Sequence, residues 1–202
     1  MEQKLKNFGT NTGPGGVMNA KEVALTALMA ATGLVLQVSP LKFKTPWGMN
    51  IDLVAVPIVL LYFLTGLRTA IFGLAVLALG ISLVSTAGPL GASMKFAATL
   101  SVLLGLEVAK RLVNDVGIKF FALGYATSVA IRGPLMLVLN YYFALPLWLG
   151  VGGDLLIRKV EEMTGLPFWL AIVLPNAIQT VVDILGAAWI ATPVAKRLGH
   201  II

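Results

Sequence analysis

Two polar interruptions of apolar segments carry the side chains that could bind a small molecule. Asn140 and Tyr141 lie within an apolar run from about residue 118 to 149, and Asn176 follows Pro175 within another such run. In hydrocarbon an unpaired amide is costly, so each amide is expected to face a partner, a cavity or a ligand. We therefore predict a small-molecule pocket between the two segments, with both asparagines as ligand contacts. Tyr141 could stack on a planar ligand or face the headgroups.

Asn176, Gln179 and Asp183 extend this polar surface. Their spacing of i, i+3 and i+7 places the three side chains on one face of a helix. Such a row can line a ligand pocket, pair with a neighbouring helix or form part of a proton path. For Asp183 we favour pairing with another helix.

The sequence offers no catalytic arrangement. It contains no cysteine, its single histidine is His200 near the C-terminus, and it has neither a phosphate-binding glycine motif nor metal-ligand spacing. An intramembrane enzyme would need a nucleophile or base, for which Asp183 is the strongest candidate. We expect a binding protein with no catalytic residue, metal site or cofactor.

Composition indicates the solvent of the protein. The 202 residues are 58% hydrophobic and 12% charged, whereas water-soluble domains carry about twice that charged fraction. The net charge of +6 comes from short basic clusters between apolar runs. That pattern fits orientation in a membrane better than binding to nucleic acid. The chain is therefore expected to be an integral protein of the cell membrane.

Six apolar segments predict an all-α domain of six transmembrane helices over residues 19–202, after a flexible tail over residues 1–18. Asp52 would cap the first turn of the second helix, and Gly133-Pro134 would kink the fifth. The stretches 39–50 and 150–166 are predicted to be loops. The apolar segments cover approximately residues 21–38, 51–67, 69–85, 96–106, 118–149 and 167–190.

The distribution of cations predicts the orientation. Six spans place both termini on one side of the membrane, and the side with more lysine and arginine is cytoplasmic. The richer side holds both termini, and Arg132 is assigned to neither side. The nine cations of that side are Lys4, Lys6, Lys21, Arg68, Lys110, Arg111, Lys119, Lys196 and Arg197, and the five of the other are Lys42, Lys44, Lys95, Arg158 and Lys159.

A stripe of small residues marks the first helix. Ala20, Ala24, Ala27 and Ala31 follow at intervals of four, three and four, which aligns them on one face. Small residues let another helix approach closely, because contact between helices in lipid depends on packing. The partner of this stripe is either another helix of the same chain or a second protein.

In their order, these features resemble the substrate-binding S component of an energy-coupling factor (ECF) vitamin transporter, most closely the riboflavin-specific type. The resemblance is spread over residues 20 to 195, and its most specific part is Asn140-Tyr-Tyr-Phe-Ala-Leu-Pro146. The other matching parts are the alanine stripe, Asn50-Ile-Asp52 with Val56-Pro57, Gly88-Pro-Leu-Gly91 and Leu174-Pro-Asn176-Ala-Ile-Gln179.

The resemblance implies a six-helix fold whose pocket opens outward and is capped by the long first loop. It implies a subunit that binds a vitamin without hydrolysing anything, and that works with a transmembrane coupling (T) subunit and two cytoplasmic ATPases. Ala24, Ala27 and Ala31 would then dock on the coupling subunit. Asn140 and Asn176 would bind the flavin ring, and residues from Gly88 to Lys95 would approach it. The full expected ligand site is Asp52, Gly88, Lys95, Asn140, Tyr141, Asn176 and Gln179.

Three positions depart from the riboflavin type. Gln179 stands where that type commonly has lysine, Ala55 replaces its second acidic residue, and the usual asparagine of the third span is missing. Because glutamine can still hydrogen-bond an uncharged ligand, riboflavin stays the first expectation. An S component for a different vitamin and an independent secondary transporter are the alternatives. The latter is expected to show inverted repeats, which the two halves of this sequence do not.

Overall fold

The computed structural model describes residues 18–45, 49–113 and 115–198, with side chains as far as residue 193. Residues 1–17 of the predicted N-terminal tail, with Lys4 and Lys6, lie outside the described residues, as do the side chains of Lys196 and Arg197.

Helices dominate the described chain. Helix α5 continues through a π-helical turn into α6, so these three elements form one segment of 32 residues. In chain order the elements are α1 (Ala20–Val38), β1 (Lys42–Lys44), β2 (Asn50–Asp52), α2 (Val56–Thr65), α3 (Leu67–Val84), α4 (Gly88–Leu112), α5 (Ile118–Leu139), the π-helical turn (Asn140–Ala144), α6 (Leu145–Leu149), α7 (Gly153–Thr164) and α8 (Phe168–Leu198).

Within the described residues, five helices are long and apolar enough to cross a membrane, so the predicted count of six is not confirmed. The difference lies in the second predicted span. Helix α2 has only 10 residues, about 15 Å of helix against a hydrocarbon core of about 30 Å. All of its residues except Leu64 are buried. An element that is apolar on every side belongs in a core, and α2 packs there against α1, α3 and α8.

The first predicted loop contains a β-hairpin, which corrects the expectation of a purely helical chain. Strands β1 and β2 pair antiparallel, with Phe43 opposite Ile51 and Lys42 opposite Asp52. Asp52 therefore ends a strand and does not cap a helix. Its Oδ1 instead accepts a hydrogen bond of 3.0 Å from Val54 N–H in the turn before α2.

The second predicted loop contains α7, an amphipathic helix. Its buried residues are Leu156 and Val160, which pack into an apolar cluster with Leu145, Phe168 and Ile172. This cluster joins α7 to α6 and α8. Met49 of the hairpin packs against the same cluster.

Close helix contacts depend on glycine at one position in particular. A Cβ on Gly105 of α4 would collide with Ser128 of α5, so only glycine allows this approach. The carbonyl of Gly105 also accepts a hydrogen bond of 2.7 Å from Thr127 Oγ1. Packing of this kind holds helices together where lipid supplies no hydrophobic drive, and it fixes α5 against α4.

The long fifth segment departs from regular α-helix beyond Gly133-Pro134, the position predicted for its kink. Helix α5 continues through Pro134, and the π-helical turn begins at Asn140. In this turn the N–H of Leu145 donates to the carbonyl of Asn140, one residue further back than in an α-helix. Proline at 146 lacks the N–H that a regular α-helix would use there. Single π turns are frequent at functional sites because they displace a side chain from the regular spiral.

The alanine stripe faces outward. The buried face of α1 consists of Glu22, Thr26, Ala30 and Gly33. The four stripe residues, Ala20, Ala24, Ala27 and Ala31, are all exposed. The interpretation of the stripe as an internal packing face is therefore wrong, and within the described residues this surface has no partner.

Candidate functional site

Asn140 is completely buried in the π-helical turn. Its Nδ2 donates to the carbonyl of Met136 at 2.7 Å. Its Oδ1 is buried without a hydrogen-bond partner, a condition shared within the described residues only with Gln37 Oε1. An unpaired buried acceptor is unfavourable by about 1–3 kcal/mol, so this oxygen is a strong attachment point for an N–H or O–H donor.

Asn176 lies in the interior of α8 and is held by its neighbours. Its Oδ1 accepts a hydrogen bond of 2.9 Å from Arg132 Nε, and its Nδ2 donates to the carbonyl of Ile172 at 2.8 Å. Since a primary amide carries two N–H groups, one donor of Asn176 is still available to a ligand.

Arg132 and Asp183 form an ion pair inside the bundle. Arg132 Nη1 lies 3.1 Å from Asp183 Oδ2, and the two side chains are 6% and 1% exposed. This confirms the inter-helix pairing predicted for Asp183. Desolvated charges are tolerated in such a place only when they are paired and hydrogen-bonded.

Arg132 is the site residue that sequence reasoning missed. It occupies a buried position of α5 and reaches three residues of α8 that lie 44 to 51 positions further along the chain. The available signal was a cation in the interior of an apolar run, matched by the single carboxylate of the last span. Intramembrane charges of opposite sign normally seek each other.

Gln179 links α8 to the hairpin. Asp52 N–H donates to Gln179 Oε1 at 2.8 Å, and Gln179 Nε2 donates to the carbonyl of Asp52 at 2.7 Å. The same Nε2 donates to Asp183 Oδ1 at 2.6 Å. Both N–H groups of this amide are therefore engaged within the protein.

Lys95 completes the polar chain from α4. Its Nζ lies 2.6 Å and 2.8 Å from the two carboxylate oxygens of Asp52. Asp52 is 5% exposed and the Lys95 side chain is 18% exposed, so the carboxylate is shielded from water and the ammonium group partly so. We use the name buried polar chain for six residues that are connected in sequence by hydrogen bonds. In order they are Lys95, Asp52, Gln179, Asp183, Arg132 and Asn176.

The buried polar chain balances its charges. Lys95 is matched by Asp52, and Arg132 is matched by Asp183. A ligand that entered with a net charge would upset this balance in a medium where an uncompensated charge is costly. The arrangement is therefore suited to an uncharged molecule with hydrogen-bonding groups.

Three predicted site residues take no part in this chain within the described residues. Asn140 bonds within its own segment, to the carbonyl of Met136. Gly88 opens α4 at a φ of +56°, with open space where a Cβ would lie. Tyr141 packs edge-on against Phe168 with ring centroids 5.8 Å apart. Together with Tyr142 and Trp169 it lines an apolar groove of about 260 Å³.

The fold has a relative among solved structures. The S component of a bacterial ECF transporter superposes with a TM-score of 0.61, covering 90% of this chain and 96% of the other, at 21% sequence identity. No protein-family model matches the sequence, and no curated protein does. At this identity the likeness establishes a shared helical membrane fold.

Proposed function

We propose that this chain is the vitamin-binding S component of an ECF-type importer in the cell membrane and that its ligand is riboflavin. It captures the vitamin from outside, and a transmembrane coupling subunit with two cytoplasmic ATPases drives delivery. The similarity to an S component over 90% of the chain supports the role. The observation that carries ligand binding is the buried, unpartnered Oδ1 of Asn140.

The hydrogen-bonding groups of the site suit a flavin ring. That ring offers one N–H between two carbonyl groups. The free acceptor of Asn140 matches the N–H, and the remaining donor of Asn176 matches a carbonyl. Charge balance of the buried polar chain also favours riboflavin over charged vitamins, because riboflavin is neutral. Tyr141, Gly88 and the Lys95–Asp52 pair would border the ligand at the outer end.

Asn140→Ala is expected to weaken riboflavin binding by about 5- to 150-fold, since the ligand N–H would be buried without its acceptor. Equilibrium titration in detergent, followed by quenching of riboflavin fluorescence, measures the change. Ser128→Ala is the matched control, because Ser128 is a buried polar residue of the same 32-residue segment, and its hydroxyl donates to the carbonyl of Val102 in α4. Equal affinities of Asn140→Ala and wild type would contradict the assignment of this residue.

The proposal includes the orientation, with both termini cytoplasmic. Single cysteines at positions 110 and 158 of this cysteine-free chain can be labelled on intact cells with an impermeant maleimide. We expect labelling at 158, on α7, and none at 110, near the end of α4. The reverse pattern would overturn the orientation.

An independent secondary transporter is the second candidate, and the Arg132–Asp183 pair is the observation that favours it. Buried carboxylates within spanning segments serve proton relays in carriers of that class. The two candidates differ in their partners. An S component co-purifies with ATPase subunits and depends on ATP for uptake, whereas a carrier acts alone and follows an ion gradient.

A further inference from the structure

We infer that Gln179 is a positioning residue that docks the β-hairpin onto α8 and thereby holds the outer end of the site closed. The effect on ligand exchange rests on the proposed function. The anchoring of the hairpin does not depend on which molecule binds.

The Gln179 amide acts as a substitute for a third strand. In an antiparallel pair, every second residue turns both its N–H and its C=O away from the partner strand. Asp52, opposite Lys42, is such a residue, and both of its outward groups bond to Gln179, at 2.8 Å and 2.7 Å. Two bonds to the main chain of one residue fix the direction of β2 as well as its distance from α8.

A second anchor holds the same residue from another helix. The Asp52 carboxylate is paired with Lys95 of α4 at 2.6 Å. The main chain of Asp52 is thus fixed by α8 and its side chain by α4. The hairpin can move outward only if bonds to one of these helices break.

The position of Gln179 is set in turn by the ion pair beneath it. Asp183 Oδ1 accepts from Gln179 Nε2 at 2.6 Å, and Asp183 Oδ2 is held by Arg132 at 3.1 Å. These three residues are 0% to 5% exposed. Hydrogen bonds in such an environment are costly to break without replacement, so the amide has one favoured orientation.

This arrangement gives Gln179 a role that differs from direct ligand contact. Both of its N–H groups are already donated, to Asp52 and Asp183. A ligand that took one of them would break the bond of Gln179 to the hairpin or its bond to Asp183. Gln179 therefore acts on the ligand through the hairpin, by controlling how fast the site opens.

Spin labels on the full-length protein without vitamin test the docking directly. Phe43 in β1 and Ile118 at the start of α5 are 67% and 86% exposed, and the pair Phe43→Cys and Ile118→Cys gives two labelling positions in a cysteine-free chain. Pulsed dipolar measurements are expected to give one narrow distance distribution. Adding Gln179→Met, which keeps the volume but removes both bonds to Asp52, is expected to broaden it toward longer distances.

Two further variants separate docking from general stability. Gln179→Glu retains an acceptor but places a carboxylate against Asp183, so we expect the hairpin to be released as in Gln179→Met. Ser128→Ala removes a buried hydroxyl far along the chain from the hairpin and is expected to leave the distribution narrow. If both Gln179 variants keep the narrow distribution, the inference is overturned.

Exchange of backbone amides in the unaltered chain provides a test that does not depend on the folding of a variant. The Asp52 N–H is expected to exchange with deuterium as slowly as buried amides of α8. Exchange of Asp52 at the rate of an exposed loop would overturn the docking.

The consequence for the ligand is measured separately. With riboflavin bound, Gln179→Met is expected to raise the dissociation rate by about tenfold or more, since opening no longer requires the two bonds to break. An unchanged dissociation rate contradicts the gating role. If wild type binds no riboflavin, the proposed function fails while the spin-label result still decides the docking.

Discussion

Arg132→Met is expected to lower the free energy of unfolding by about 3–5 kcal/mol, because it leaves the buried Asp183 carboxylate without its cation. Asp183 is completely buried, and its remaining side-chain bond comes from Gln179. Loss of the guanidinium also removes the donor to Asn176. Chemical or thermal unfolding in detergent micelles, monitored by circular dichroism, measures the difference.

The double variant Arg132→Met and Asp183→Leu identifies the cause. Replacing both members of a buried ion pair by apolar residues of similar size is often close to neutral. We therefore expect the double variant to recover most of the stability that Arg132→Met loses. Arg111→Met is the control, because its pair with Glu107, at 3.5 Å, is exposed on the arginine side and is expected to contribute less than about 1 kcal/mol. A double variant as unstable as the single one would contradict the charge argument.

Ala27→Trp is expected to abolish uptake while leaving riboflavin affinity unchanged. Ala27 is exposed on α1, outside the buried surface of Thr26 and Ala30, so an indole there can point away from the interior. The same ring would hold a partner helix away from the stripe, because close approach needs small side chains. Affinity in detergent and uptake in cells that contain the coupling subunit and ATPases are the two measurements.

A tryptophan on a different exposed surface provides the comparison. Leu185 of α8 is 55% exposed, and Leu185→Trp adds the same ring outside the stripe. We expect normal uptake from this variant. Normal uptake by Ala27→Trp, or equal loss of uptake in both variants, would contradict docking through the stripe.

The polar face of α8 was predictable from the sequence because it depends on spacing within one helix. Asn176, Gln179 and Asp183 do face inward together, and Asp183 is paired with another helix as predicted. The identity of its partner, Arg132, depends on how α5 and α8 pack. No local pattern in the sequence determines that arrangement.

The second predicted span shows a different limit. Residues 51–67 are continuously apolar after Asp52, and an apolar run of this kind is compatible with a spanning helix, a short buried helix or a strand. The structure divides it into strand β2, a turn and the buried helix α2. Asn50–Asp52 becomes a strand because Lys42–Lys44 is available to pair with it, which is a contact between separated residues.

The π-helical turn at Asn140 was also beyond local prediction. The sequence indicated a break in the fifth segment and offered Gly133-Pro134 as its position, since proline removes a backbone donor there as it does at 146. Both prolines are accommodated within helical segments. The π-helical turn begins instead at Asn140, whose buried amide donates to the carbonyl of Met136.

Titration of free riboflavin with the purified wild-type protein tests the central claim most directly. We expect saturable quenching of flavin fluorescence at one riboflavin per chain. A non-fluorescent competitor that retains the ring N–H is expected to displace riboflavin and restore its fluorescence, whereas a competitor that lacks this N–H is not. A protein that remains helical by circular dichroism yet leaves riboflavin fluorescence unchanged at every concentration would contradict the account.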